Sequence, residues 1–286
     1  MEECMKITVM VMTAIILLTL NLYAQQPPNP LFPFSMSFDE KLTLLRVFDT
    51  PPGYERYPAG QMNEFQAWVT NLPLQARNKW VVLWNGQMLY PPDSVAGVID
   101  FGVGTEAQQN PDIPMQMVME YLRAVNALGD FPIRLGKTDT VTYNRWLGGE
   151  YSFSARGELI YTPGEKRTAN DKEYYRYLHF VLSQMTAKKL LLNLKPVDEK
   201  NLAPANLYIQ FRPDDPDSVG HCAVIFDVGI NKKGEQVVLA GWGGVPAHSF
   251  LVARPRRESR NPWFSIPELK EYLKRHGEGR FYRFAE

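Results

Sequence analysis

From Phe38 onward the apolar residues fall into segments whose spacing changes along the chain. In QMNEFQAWVTNLPL, residues 61–74, Phe65, Trp68, Val69 and Leu72 recur at helical spacing and Pro73 closes the run, which predicts an amphipathic helix. KWVVLW at 79–84, ending in Asn85-Gly86, and VAGVIDFGVG at 95–104 are short apolar runs bounded by turn residues, the pattern of buried strands. Residues 111–128 change period again: Met115, Val118, Met119, Leu122 and Val125 form one face of a long helix with Pro111 in its first turn, where a missing N–H is tolerated. The region 139–194 is helical in pattern, with a stripe of Tyr174, Tyr177, Leu178, Val181 and Leu182. His179 lies within that stripe and reads as a packed or half-exposed side chain.

After Pro196 the pattern becomes that of strands: NLYIQF (206–211), GHCAVIFDVGI (220–230), EQVVLAGW (235–242) and AHSFLVA (247–253), with NKKG at 231–234 as a hairpin turn. PELKEYLKRHG then predicts a short helix closed by Gly277, and FYRF a last edge strand. Strands, then helices, then a run of hairpin-linked strands define an α+β fold: a mostly antiparallel sheet flanked by helices. With no linker inside 38–286, that span is expected to be a single domain.

The beginning of the chain adds a compartment. Met1 to Lys6 is short and weakly charged, Ile7 to Leu20 is almost wholly apolar, and Ala24 stands at a cleavage position before QQPPNPLFPF. An apolar core of about 14 residues is shorter than the ~20 a spanning helix needs, so residues 1–24 read as a cleaved secretory signal and 25–37 as a proline-rich tether. This predicts a secreted or periplasmic protein with no transmembrane segment after signal removal. One cysteine, Cys222, then remains, and an intramolecular disulfide is impossible. Composition narrows function only by exclusion: Lys+Arg and Asp+Glu are both 31, and no basic block offers the footprint of a nucleic-acid binder. HExxH, paired-cysteine, GxSxG and phosphate-loop patterns are absent, and no cofactor is predicted.

The adjacent His221 and Cys222 resemble a thiol-hydrolase pair, but neighbours on a strand point to opposite faces and cannot share a proton. Cys222 alternates with Val224 and Phe226 and reads as a small buried apolar residue. His221 alternates with Ala223, Ile225 and Asp227, and Asp227 is about 20 Å away along the strand, too far to orient it. A histidine heading a central strand is nevertheless where several thiol hydrolases keep their base, with the nucleophile at a helix start. The helix start here is Asn110, a residue suited to capping and useless as a nucleophile.

RVFDTPPGYER, the NEFQAWVTNLPL helix, VAGVIDFGVGTEAQQN, the YNRWLGG turn, GHCAVIFDVGINKKG, LAGWGGVPAHSF and NPWF occur in the order expected of the domain of unknown function 4846 family, which the chain resembles from about Phe38 to its end. That family resembles secreted proteins of Bacteroidetes-type bacteria. The resemblance implies a cysteine in relatives where this chain has Asn110, and a glutamine near Gly241. With His221 these would form a site similar to that of papain-like, NlpC-type cell-wall peptidases, and the topology would be papain-like. This chain departs at two of the three positions, so the resemblance implies a degenerate, non-catalytic site whose groove serves as an envelope binding module for peptide, glycan or peptidoglycan fragments. Trp242 and His248 are candidate binding residues, with Trp242 as a plain core residue the competing reading. Two further alternatives stand. One is an active cell-wall or peptide hydrolase using other residues, such as His248 or His276. The other is a structural or interaction protein of the envelope presenting Tyr54, Arg56, Tyr57 and Arg145.

Overall fold

The computed structural model describes residues 29–35, 38–76, 79–102, 104–153, 159–160, 164–211, 220–256 and 261–285. The expected signal, 1–24, and the first residues of the tether lie outside them. The described residues build an α+β fold around one nine-stranded sheet. Its strands are β1 (Tyr54–Arg56), β2 (Gly97–Val98), β3 (Leu194–Pro196), β4 (Leu207–Gln210), β5 (His221–Asn231), β6 (Gln236–Trp242), β7 (Leu251–Val252), β8 (Trp263–Ser265) and β9 (Gly279–Phe284). The main order is β2-β7-β6-β5-β4-β9-β3, with β1 also pairing to β5 and β8 to β6, and all these pairings are antiparallel. The helices are α1 (Leu44–Val47), α2 (Glu64–Thr70), α3 (Ile113–Ala124), α4 (Tyr143–Leu147), α5 (Asp171–Gln184), α6 (Ala187–Leu191) and α7 (Ile266–Leu273). None is long and apolar enough to cross a membrane.

The two faces of β5 separate two cores, as its alternation requires. Cys222, Val224 and Phe226 join a large core with the methionines of α3 and the aromatic stripe of α5, while Ala223 and Ile225 join a smaller core with Leu269 and Leu273 of α7. A β-bulge between Ile225 and Asp227 then breaks the period. It places Val228 with Ile225 in the smaller core and releases Asp227 from the His221 face. Asp227 instead meets Arg56, whose guanidinium also donates to the carbonyls of Leu45 and Phe48.

Other expectations are revised by tertiary pairing. The hydrophobic run at 79–84 forms only a two-residue strand, Val81–Val82, in a small hairpin with Met88–Tyr90, and Trp80 and Trp84 are each 40% exposed. The region 139–194 contains short hairpin strands, among them Thr140–Val141 and Ser152–Phe153, as well as helices. β9 is interior, lying between β4 and β3, because β3 supplies the edge. Tyr54, Arg56 and Tyr57 are half-buried, Arg56 in its ion pair and the tyrosines against the two cores, so of the four proposed interface residues only Arg145 is exposed.

Candidate functional site

The register of β5 and β6 runs through Val224↔Gly241, and continuing it outward sets Cys222 opposite Gly243. The ladder stops there because the side chain of Asn110 stands between the strands. Its Nδ2 donates to the carbonyls of Cys222 at 3.0 Å and Gly243 at 3.1 Å, and its Oδ1 accepts the N–H of Cys222. The amide therefore acts as one extra peptide group wedged into the sheet, with every donor and acceptor used. The Asn110 N–H donates to Gly244 at 3.1 Å, and the residue is 2% exposed. Asn110 does not cap the following helix. It opens a short 3-10 turn, Asn110–Asp112, and the local capping is done by Gln109 and Asp112.

Beyond this wedge β6 turns away through Trp242, Gly243 and Gly244, and a cleft of about 520 Å³ opens at the split end of the sheet. Asn110, His221, Trp242, His248, Arg275 and His276 all line it. The ring of His221 stacks on His276 with centroids 4.1 Å apart and meets Trp242 edge-on at 5.6 Å. His276 is delivered by the turn after α7: Gln210 of β4 donates from Nε2 to the carbonyls of Leu273 and Gly277. Gly277 adopts φ +101°, a conformation that disfavours any side chain, and a Cβ there would lie 2.7 Å from the carbonyl oxygen of Phe211. His248 Nδ1 lies 2.7 Å from the carbonyl of Ser249 and must donate to it, which leaves the lone pair on Nε2. A Cβ on Gly244 would lie 2.2 Å from that Nε2, so the glycine makes room for the imidazole.

Burial favours the uncharged form of His221 and His248. Burial, reinforced by the neighbouring His276, Arg275 and His248, pushes His221 down to about 3, and its buried Nδ1 has no hydrogen-bond partner among the described residues. Burial also lowers His248. Arg275 donates from Nε to Nε2 of His276 at 3.1 Å and is exposed at the mouth of the cleft. No carboxylate of a described residue pairs with its guanidinium. No serine, threonine or cysteine side chain lines the cleft among the described residues. Cys222 faces the other core, and its thiol is pushed far above its usual range by complete burial. Among the described residues no three His, Cys, Asp or Glu side chains are placed to hold a metal ion.

The structure thus brings four of the residues singled out in the sequence, Asn110, His221, Trp242 and His248, to one cleft, and separates Gly241 from them. Gly241 is inside the sheet, where a Cβ would fall 1.9 Å from the carbonyl oxygen of Leu251 and 2.5 Å from Phe226, so no larger residue fits. Trp242 serves both readings, packing in the smaller core while one edge meets His221. His276, named from sequence only as a residue an alternative hydrolase could use, stacks directly on His221. Arg275 and the exposed hairpin aromatics were not expected at the site. Only the density of aromatics in KWVVLWNGQMLY could have drawn attention to them.

Fold and site together define an α+β protein with an aromatic and imidazole-lined cleft at the divided end of its central hairpin. The chain belongs to the family described as domain of unknown function (4846), whose model matches residues 44–284. No curated protein and no solved structure matches it.

Proposed function

We propose that this is an exported, non-hydrolytic binding protein of the cell envelope, whose cleft takes a carboxylate-bearing peptide or glycan fragment of the wall. The observation that carries the proposal is the commitment of Asn110. At the helix start where a papain-like hydrolase would hold its nucleophile stands an amide consumed by backbone hydrogen bonds. Among the described residues no carboxylate or amide hydrogen-bonds the His221 ring to orient it, and its lowered pKa suits it to hydrogen bonding better than to proton transfer near neutral pH. A histidine-bearing strand facing a helix start supports the papain-like likeness. The chemistry of the lining supports the ligand class. Arg275 offers a guanidinium for a carboxylate, and His248 Nε2 offers a neutral acceptor. Tyr90 and Val245, both exposed, line the cleft with apolar surface on which a sugar or peptide can lie.

Calorimetric titration of the mature protein with defined muropeptides and with the same peptides amidated at their carboxylates tests this. Binding is expected for the acids, about tenfold weaker for the amides and for Arg275→Ala, as loss of one charge-assisted hydrogen bond implies. Mass spectrometry of the incubated ligand should show no cleavage. Turnover of the ligand, or equal binding of acid and amide, would overturn the reading. The native protein should begin at Gln25, and recovery of an intact leader would refute export by cleavage.

A further inference from the structure

A second cavity, about 390 Å³, lies between α3, α5 and residues 101–102 and 104–108. Its floor contains a polar group with no partner. Glu120 is 0% exposed, and among the described residues neither carboxylate oxygen has a partner in hydrogen-bond geometry. The nearest cation, Arg123, is 3.9 Å away. It is held by Asp171 at 2.7 Å and stacked over the rings of Tyr174 and Tyr175 at 4.3 and 5.4 Å, so it gives Glu120 charge without a donor. The donor near the carboxyl is the Tyr174 hydroxyl, which interacts with it electrostatically but lies outside hydrogen-bond geometry. A buried acceptor pair left open is costly in any fold, and such a group in a cavity commonly marks a ligand position.

The rest of the lining is built with the same purpose. Gln108 is fixed by the N–H groups of Gly104 at 2.6 Å and Thr105 at 3.0 Å, and passes its own amide proton to Gln116 Oε1 at 3.0 Å. That bond takes one lone pair of the Gln116 Oε1 and leaves the second as an acceptor for a ligand N–H. Phe34 and Phe101, stacked at 4.3 Å, supply an apolar wall, and Tyr175 and His179 stand at the mouth.

We infer that this cavity is a second binding site for a small organic cation, an amine or guanidinium group whose N–H donors fill the two open positions on Glu120 while its hydrocarbon part lies against the aromatic wall. A cation is favoured over a neutral amide because it compensates the buried carboxylate as well as satisfying it. Without such a ligand burial holds the Glu120 carboxyl up at about 7, with Arg123 and the Tyr174 hydroxyl opposing and Asp171 reinforcing the shift, so a bound cation should expel its proton. Tyr174 and Tyr175, the other titratable groups facing it, keep their protons in this range because burial raises both.

The probes are n-butylguanidinium and n-butylammonium, with neutral butanamide as control, titrated into the isotopically labelled protein at pH 7. Saturable shifts are expected at the Gln116 side-chain amide and the Thr105 N–H, with proton release measured by calorimetry in two buffers of different ionisation enthalpy. Glu120→Gln should weaken cation binding about ten- to a hundredfold and abolish proton release. Gln116→Ala, which keeps the carboxyl, should weaken binding less and preserve proton release. Equal binding by Glu120→Gln, equal binding of butanamide, or no saturable shift with either cation at tens of millimolar would each overturn the inference. Because Gln116→Ala and the proton count use the native carboxyl, a folding failure of Glu120→Gln would not rescue it.

Discussion

Asn110 carries more of this molecule than its type announces. Its side-chain amide replaces the next rung of the β5–β6 ladder, so removing it strands the N–H and C=O of Cys222 and the carbonyl of Gly243 in a buried setting. Each unsatisfied buried group costs about 1–3 kcal/mol, and water entering from the cleft can recover part of that. Asn110→Ala should therefore lower the free energy of unfolding by about 3 kcal/mol, read from urea or thermal denaturation. Asn110→Asp should be worse at neutral pH, because it sets a carboxylate against two carbonyl oxygens where the amide had two N–H donors. An Asn110→Asp variant as stable as the native protein would show that the wedge is not made by hydrogen bonds. The neighbouring Cys222 obeys the opposite logic. Its environment is apolar and its role is volume, as strand alternation alone required.

At the scale of the elements, the β5 bulge decides what the longest strand can present. Without it Asp227 would share the face of His221, and with it the carboxyl crosses to Arg56 of β1. The ion pair, with the carbonyls of Leu45 and Phe48 on the same guanidinium, ties α1 and β1 to the centre of the sheet. Asp227 is raised to about 6 because burial outweighs the attraction of Arg56 and the N–H of Val228. Taking Arg56 away leaves that carboxyl buried and alone, so Arg56→Met should cost about 3–5 kcal/mol, while the double change with Asp227→Leu should recover much of the loss. A double-mutant cycle in chemical denaturation measures the coupling, and additive single effects would contradict it. The same region shows how an element can mislead in sequence. Val81–Val82 is as apolar as a core strand, yet it forms only a short hairpin with Met88–Tyr90 and bonds at Val82 to Ser249, leaving the flanking tryptophans each 40% exposed.

For the whole molecule the buried titratable groups set a stability optimum. Burial raises Asp112 to about 8 and Glu120 to about 7, with Asp227 at about 6. The unfolded chain loses these protons first, so their contribution to stability falls as pH rises from about 4 through each folded value. His221, lowered to about 3, works in reverse: the unfolded imidazole takes a proton below about 6.5, so stability rises with pH between those values and is level above. The two trends oppose one another below about pH 6.5, and only Asp112 and Glu120 act above it. Stability should therefore decline by about 2–3 kcal/mol between pH 6.5 and 8.5, and Glu120→Gln should flatten the decline. Denaturation midpoints across that range check it, and a midpoint rising with pH would contradict the assignment. These groups also mark the boundary of what the chain alone determines. Periodicity specified the α+β class, the antiparallel run from 206 to 253, the helices at 64–70, 113–124 and 171–184, and the opposed faces of His221 and Cys222, because each depends on which side of one element a residue occupies. It left open how elements meet. The wedging of Asn110 into the sheet, the arrival of His248 and His276 beside His221, the transfer of Asp227 by one extra residue and the stranded carboxyl of Glu120 are long-range events. They follow from register, bulge position and the packing of distant segments, none of which leaves a local pattern to read.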